Sequence, residues 1–243
     1  MPVLRLLPFA SASGAVNMAR DEAMLHTAAE RGIGSLRFYT WDEPTLSLGY
    51  FQPAAERRPD IPSWVRRSTG GAAIVHDPSH EITYSLALPP GQDWQPTDES
   101  WLCRMHYFIR DVLKPMGVTA KAVVCGEEQK LGPILCFRHQ TAGDLTCNGS
   151  KVAGSAQRKW KGALLQHGSI LLGRSPLAPT LPGIAELSGV TVDRKQLAAA
   201  VVKQFAQQSG WTVTPGEWTR EELLEAARIA NEKYASVDWN EKR

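Results

Sequence analysis

Two residues near the middle of the chain, Cys136 and Lys151, could together perform nucleophilic chemistry. A thiolate is intrinsically nucleophilic, and a nearby ammonium group lowers the pKa of a thiol. The lysine could also hold a carbonyl oxygen or shuttle a proton at the point of attack. Spacing alone favours a simpler interpretation, in which Cys136 is a small core residue and Lys151 is a solvated strand end, because free cysteine is among the most buried residue types.

A hairpin is predicted immediately before Lys151. Asn148-Gly149 supplies two residue types that tolerate positive φ, which is a strong signal for a two-residue turn. Antiparallel strands are therefore expected at residues 144–147 and 150–157. This places Lys151 near the start of the second strand, and Cys136 in a preceding strand or loop.

A glycine pair, Gly70-Gly71, marks a second candidate site within VRRSTGGAAIVHD at residues 65–77. Paired glycines let a backbone approach a ligand closely and offer free N–H donors. Arg66 and Arg67 beside them could hold a carboxylate or a phosphate. The alternative is a tight structural hairpin between the two flanking strands.

The remaining pattern predicts the elements that must position these residues. Helical spacing of apolar residues and capping signals predict helices at residues 16–31, 98–116, 193–208 and 219–234. Short apolar or alternating runs predict strands at residues 3–7, 35–39, 45–48 and 81–88. Residues 174–189 are expected to be irregular. Strands followed by helices in this order favour an α+β fold over a parallel βαβ fold.

Composition excludes several classes of function. The 243 residues are 43% hydrophobic and 21% charged, as in ordinary globular proteins. The balance of 27 basic and 25 acidic residues argues against nucleic acid as a partner. Local basic clusters such as Arg66-Arg67 and residues 158–161 are interpreted as solvated surface, or as contacts for an acidic protein.

Cysteine usage and the chain start predict a cytoplasmic protein. No run is long enough to span a membrane, and residues 1–8 are too short and too interrupted by proline for a signal peptide. The four cysteines lack C-x-x-C spacing and are too few for a disulfide framework, which predicts reduced thiols and no metal site. They stand at positions 103, 125, 136 and 147.

Nearly the whole chain resembles the superfamily of lipoate–protein ligases and octanoyltransferases, which is related in fold to biotin–protein ligase. The resemblance is carried by residues 17–23, TLSLGYFQ at 45–52, VRRSTGGAAIVHD at 65–77, GSKVAGSAQRKWKGALLQHGSILL at 149–172, and residues 234–240. It implies one catalytic domain over residues 1–243, without a C-terminal accessory domain. The implied fold is α+β, with mixed and antiparallel sheets packed with helices, similar to class II aminoacyl-tRNA synthetases.

The ligases of this superfamily activate lipoate with ATP, whereas the transferases take octanoate from acyl carrier protein through a cysteine thioester. Cys136-Phe137 followed by Lys151 is similar to the cysteine–lysine octanoyltransferases that look like ligases in sequence. The resemblance therefore implies that Cys136 and Lys151 are catalytic and that no cofactor is needed. The implied donor is acyl carrier protein, and the acceptor is a lipoyl domain or the glycine-cleavage H protein.

The resemblance also implies a narrow apolar tunnel for the eight-carbon chain. The glycine pair and the small run at residues 152–156 are expected to form its walls, and His76 and Asp77 are expected near its mouth. The residues predicted to bind the substrate are Arg67, Gly70, Gly71, His76, Gly154, Ser155 and Ala156.

Three alternatives stay open. Asp144 resembles an Asn-Asp motif of the ligases, so an ATP-dependent lipoate ligase would place Asp144 near a metal–nucleotide and Lys151 on an acyl-adenylate. An amidotransferase could move octanoate between two lipoyl-bearing proteins, again through Cys136. A protein that only binds a lipoyl domain would need neither Cys136 nor Lys151. The sequence leaves the acyl donor, the preferred acceptor and the oligomeric state undetermined.

Overall fold

The computed structural model describes residues 1–91, 101–124, 126–130 and 136–243, and for Lys130 and Cys136 it describes the backbone alone. The strands are β1 (Val3–Leu6), β2 (Ala10–Ala12), β3 (Gly34–Trp41), β4 (Thr45–Leu48), β5 (Ser63–Arg66), β6 (Ile74–His76), β7 (Glu81–Leu88), β8 (Lys121–Ala122), β9 (Gln129–Lys130), β10 (His139–Gln140), β11 (Leu145–Cys147), β12 (Ser150–Trp160), β13 (Ala163–Leu171) and β14 (Thr212–Pro215). The helices are α1 (Gly14–Arg31), α2 (Trp101–Leu113), α3 (Ile184–Ser188), α4 (Arg194–Gln208), α5 (Arg220–Ile229) and α6 (Val237–Asn240).

A large mixed sheet organises the described residues. Its order is β14-β1-β3-β7-β13-β12-β11-β8, with β2 paired to β3. The pairs of β1 with β14, β1 with β3 and β2 with β3 are parallel, and the pairs from β3 onward to β8 are antiparallel. The predicted α+β class with mixed sheets is confirmed.

Helices cover both faces of this sheet, so its central strands are buried on both sides. Every residue of β7 and β13 is buried. Even-numbered β7 residues such as Tyr84 and Leu86 belong to the large core that includes Phe108 of α2 and Phe205 of α4. On the opposite face, Ala87 packs in a smaller cluster with residues of α1. Strands buried on two faces need apolar or internally paired residues at every position.

Local signals located most element boundaries. Helix α1 ends where Gly32 takes the left-handed conformation with φ of 68°, which glycine adopts without strain. Asn148 and Gly149 both have positive φ and join β11 to β12 with Cys147 opposite Ser150, so the predicted hairpin is confirmed. The capping box of Thr219 and Glu222 opens α5 as expected.

Some boundaries differ from prediction. The helix expected at residues 98–116 is α2 followed by a 3-10 turn at Lys114–Met116, and residues 98–100 lie outside the described residues. The last long helix ends at Ile229, and Ala230–Tyr234 form a π-helical turn. The irregular stretch at residues 174–189 contains the short helix α3. No helix of the described residues is long and apolar enough to cross a membrane.

The glycine pair does not form a hairpin, so that alternative is wrong. Strands β5 and β6 belong to a small sheet of order β5-β4-β6, in which β4 lies between them. β4 pairs in parallel with β5 and antiparallel with β6. β4 is thus the central strand of the small sheet, and all four of its residues are buried. The loop of residues 67–73 therefore crosses over β4 from one edge of the sheet to the other.

Candidate active site

An apolar cavity lies between the large sheet, α1 and the small sheet, and holds about 440 Å³ of space not occupied by protein atoms. All seven residues predicted to bind a substrate line it. The other lining residues are Met18, Tyr39, Trp41, Ile74, Thr83, His167, Gly168 and Ser169. A cavity with apolar walls and a few placed polar groups is typical of a small-molecule site.

The cavity runs across the strands of the large sheet. Gly154 on β12 is opposite Ser169 on β13, Ser169 is opposite Thr83 on β7, and Thr83 is opposite Tyr39 on β3. Three strand spacings correspond to a length of about 14 Å. The site is therefore an elongated slot that can hold an extended apolar chain.

Lys151 lies at the β12 end of the slot, and Gly154 makes room for it. A Cβ atom at position 154 would be 2.4 Å from Cε and 2.7 Å from Nζ of Lys151. No side chain can occupy that position while the lysine stays in place. The ammonium group is therefore held against the end of the cavity.

The Lys151 side chain is buried, so its interpretation as a solvated strand end is wrong. Its Nζ is 2.7 Å from Oδ2 of Asp144 and donates a hydrogen bond of 3.1 Å to the carbonyl oxygen of His139. The same Asp144 oxygen accepts hydrogen bonds from the backbone N and the hydroxyl of Thr141, at 2.7 and 2.9 Å. Buried charges persist when they are paired and hydrogen-bonded in this way.

The second predicted catalytic residue, Cys136, opens a 3-10 turn at Cys136–Arg138. Its thiol lies outside the described residues. Phe137 of this turn is buried, and the Lys151 Nζ is 5.5 Å from the centroid of its ring. The structure thus brings the backbone of the Cys136 turn to the lysine end of the slot, and contact between the thiol and the ammonium group stays a prediction.

Arg67 holds the glycine loop in place beside the cavity. Its Nη1 donates to the backbone oxygen and the hydroxyl of Ser47, at 2.7 and 2.9 Å. Its Nη2 donates to the carbonyl oxygens of Gly70 and Ala72, both at 3.0 Å. From the sequence, this guanidinium group was a candidate to bind a carboxylate or a phosphate of a ligand. In the structure it donates its hydrogen bonds to acceptors of the protein itself.

The Arg66-Arg67 cluster is also not a solvated surface, because both side chains are buried. Nη1 of Arg66 donates to the carbonyl oxygens of Gly49 and Gln52, at 3.1 and 2.5 Å. The loop approaches Gly49 so closely that a Cβ atom there would lie 1.8 Å from the Gly71 oxygen. Only glycine fits at position 49 without moving the loop.

His76 lies against Trp41 at the β3 end of the slot, opposite Lys151, and Asp77 is not among the residues that line the slot. The two rings stack with centroids 3.8 Å apart. The ring nitrogens of His76 are each 2.8 Å from a partner, Ser47 Oγ at Nε2 and Glu81 Oε1 at Nδ1. Burial lowers the pKa of His76, although the Glu81 carboxylate opposes this shift. The imidazole is therefore neutral at pH 7 and acts as a fixed wall.

His167 is a cavity residue that was not predicted. Its Nδ1 is 2.8 Å from Asp21 Oδ2, and its Nε2 is 2.7 Å from the Thr69 hydroxyl. Burial raises the pKa of Asp21, but the charge of Arg37 and the hydrogen bond with His167 outweigh it, so that the net shift is downward. A chain of buried polar groups thus connects α1 to the residue before the glycine pair.

Sequence comparison identifies relatives along almost the entire chain. The family model described as the lipoyl protein ligase A/B catalytic domain matches residues 13–178. Octanoyltransferase LipM of Kyrpidia tusciae is 34% identical, with 99% of both chains covered. Octanoyltransferase LipM of Brevibacillus brevis is 33% identical, with 95% of this chain and 96% of the relative covered.

Solved structures with the same fold are more distant in sequence. A lipoate-protein ligase A bound with ATP superposes with a TM-score of 0.78 at 21% identity, covering 99% of both chains. A chain from the structural analysis of a bipartite lipoate protein ligase and its E2 lipoyl domain from Thermoplasma acidophilum superposes with a TM-score of 0.76 at 21% identity, covering 99% of this chain and 97% of that one.

Proposed function

Because the chain belongs to the family of lipoyl protein ligase A/B catalytic domains and is an octanoyltransferase of protein lipoylation, we propose that it moves octanoate from acyl carrier protein through a thioester on Cys136. The final acceptor is the lysine of a lipoyl domain or of the glycine-cleavage H protein. The observation that carries this proposal is the buried ammonium group of Lys151 at one end of an apolar slot. We place this reaction in the cytoplasm and in a single catalytic domain.

The first half-reaction is thioester exchange. The Cys136 thiolate attacks the octanoyl carbonyl carbon, a new C–S bond forms, and the bond to the carrier sulfur breaks. The proton that Cys136 released returns to the departing carrier thiol. One thioester replaces another, so the step is close to isoergic and needs no ATP.

The second half-reaction forms an amide. The neutral amine of the acceptor lysine attacks the carbonyl carbon, a C–N bond forms, and the bond to Cys136 breaks. A proton from the attacking nitrogen ends on the Cys136 sulfur. The amide is more stable than the thioester, so this step gives the reaction its direction.

Lys151 supports both steps. A fixed cation at the end of the slot stabilises the Cys136 thiolate and donates to the oxyanion of each tetrahedral intermediate. Asp144 and the His139 carbonyl hold the ammonium group in position, so little reorganisation is needed when charge develops. This pairing gives Asp144 a role that requires no nucleotide.

The apolar slot supplies binding free energy for the chain. Seven methylene or methyl groups at about 0.8 kcal/mol each contribute roughly 5–6 kcal/mol before entropic losses. A single added or missing methylene changes binding by only about 1–3 kcal/mol in a hydrophobic pocket. Sharp selection of chain length therefore requires a rigid end to the slot.

The direct test is intact-mass measurement after incubation with octanoyl acyl carrier protein. Without ATP or Mg²⁺, the enzyme should gain one octanoyl group and pass it to a lipoyl domain when that domain is added. Strict dependence on ATP and free lipoate would replace the transferase with a ligase. Labelling only from an octanoylated lipoyl-bearing protein would identify an amidotransferase.

A second prediction concerns the end wall of the slot. Trp41 stacks on His76, and its Nε1 donates to the Thr83 hydroxyl at 3.0 Å, so the indole is rigidly held. Trp41→Val should extend the slot and raise the preference for decanoyl over octanoyl thioester by about tenfold or more, the scale of one or two methylenes. Competition between the two acyl carrier protein thioesters measures the ratio.

Trp211→Val is the matched control for this variant. Trp211 is also buried, but it belongs to the core on the other face of the sheet and does not line the slot. The Trp211→Val enzyme should be less stable to unfolding, but its preference between the decanoyl and octanoyl thioesters should not change. An unchanged preference in Trp41→Val would show that the slot ends elsewhere.

A further inference from the structure

A groove beside the lysine end of the slot holds about 970 Å³ of space. Its described lining includes Phe137, Arg138 and Gln140 from the segment after Cys136, and Lys151 from β12. Thr180, Leu181 and Pro182 also line it. The catalytic steps above assign no function to this groove.

The groove and the slot meet at Lys151. The lysine lines the groove, and its Nζ lies against Gly154, which lines the slot. Lys151 has only 5% of its surface exposed, and Gly154 is buried as well. A carbonyl carbon bound at this junction is therefore below the protein surface. A donor protein can deliver a thioester there only on a slender arm.

The groove changes in character from its inner end to its rim. Inside, the buried Lys151 faces the slot, whereas Arg138 at the rim is exposed and donates to the Thr180 hydroxyl at 3.2 Å. Leu181 and Pro182 supply an apolar wall, and Gln140 supplies a side-chain amide.

A phosphopantetheine arm has the matching order of groups. Its sulfur end carries the acyl group, its middle contains two amides and a dimethyl-substituted carbon, and its outer end is a phosphodiester. We propose that this groove binds the phosphopantetheine arm of the acyl donor, with the phosphate at Arg138 and the thioester at Lys151. This assignment rests on the proposed thioester function.

The phosphate contact is tested with three donors that differ only in the arm: octanoyl-phosphopantetheine, octanoyl-pantetheine and the armless thioester S-ethyl octanethioate. The readout is the second-order rate constant for formation of the octanoyl-enzyme, followed by intact mass. Arg138→Gln should lower this constant about ten- to a hundredfold for octanoyl-phosphopantetheine, the scale of one charge-assisted hydrogen bond. The other two donors should change by less than about twofold.

Arg220→Gln is the matched control, because Arg220 is exposed at the start of α5 and does not line the groove. It should leave all three rate constants unchanged. Equal losses for the phosphorylated and unphosphorylated arms in Arg138→Gln, or no loss for either, would overturn the placement of the phosphate.

A blocking variant tests the groove itself. Thr180 is exposed at the rim, so Thr180→Trp should narrow the groove without disturbing the core. It should slow acylation by both pantetheine thioesters at least tenfold and spare S-ethyl octanethioate. Normal acylation with slow transfer to a lipoyl domain would instead assign the groove to the acceptor lysine and overturn the proposal.

Failure of the proposed function has a different signature. If the wild-type enzyme forms no octanoyl adduct with octanoyl acyl carrier protein or with any of the three small thioesters, the thioester mechanism is wrong and this assignment falls with it. If wild type forms the adduct, but each variant changes the rate constants for all three donors equally or not at all, only the groove assignment is wrong.

Discussion

Cys136→Ser should abolish the octanoyl-enzyme adduct and lower octanoyl transfer on the order of 10³-fold or more, as expected when a covalent nucleophile is lost. A serine hydroxyl is hardly ionised at neutral pH, so it is a much weaker nucleophile than a thiolate. The measurement is intact mass after incubation with octanoyl acyl carrier protein, together with the rate of lipoyl-domain octanoylation.

Cys147→Ser provides the matched thiol control. Cys147 is 2% exposed and packs in the large core at the end of β11. Burial raises the pKa of its thiol, which disfavours the reactive thiolate at neutral pH. The Cys147→Ser enzyme should therefore still form the adduct. An adduct that survives in Cys136→Ser and disappears in Cys147→Ser would show that Cys147, and not Cys136, is the nucleophile.

Sequence reasoning was most accurate where the signal is local. Asn148-Gly149 located the hairpin, because positive φ at two consecutive residues is a property of the residues themselves. Gly32 located the end of α1 for the same reason. Seven of the slot residues were predicted, and only the family resemblance could predict them together, since VRRSTGGAAIVHD and the small run on β12 meet only in the folded chain.

The sequence could not supply contacts that join distant segments. The pairing of Asp21 with His167 spans 146 residues, and that of Thr69 with His167 spans 98. The sequence of β13 carries no local signal for these contacts, because they depend on residues of α1 and of the loop before the glycine pair. The hairpin interpretation of Gly70-Gly71 failed similarly, because β4, which separates β5 from β6, precedes both of them in the chain.

The pairing of Lys151 with Asp144 could have been inferred from the hairpin register. A two-residue turn after Cys147 places Thr146 opposite Lys151, with an irregularity between Leu145 and Thr146. Asp144, the residue before β11, is therefore the nearest acidic residue across the hairpin. A charge pair across a hairpin is a recognisable signal, but its burial depends on the Cys136 turn, which no local pattern predicted to pack there.

Lys151→Ala should lower octanoyl transfer by roughly 100-fold or more, the scale of removing one oxyanion donor. It should also raise the pKa of Cys136 by removing the nearby cation. A second effect follows from burial. Asp144 is 1% exposed and would lose its ion-pair partner, and breaking a buried pair in this way costs about 3–5 kcal/mol of folding stability. A solvated polar residue at a strand end would contribute little to stability. This buried pair instead implies a large loss of stability in Lys151→Ala.

The double variant Lys151→Ala/Asp144→Asn separates the two effects. Neutral asparagine removes the uncompensated buried charge, so the double variant should regain much of the unfolding free energy in urea while transfer stays at the level of Lys151→Ala. Lys151→Arg should rescue poorly, because a planar guanidinium group cannot occupy the compact space beside Gly154. The rate of iodoacetamide alkylation at Cys136 against pH gives the thiol titration directly. Superimposable titration curves for wild type and Lys151→Ala, with unimpaired transfer, would remove Lys151 from the mechanism and leave the Asp144 pair as a purely structural feature.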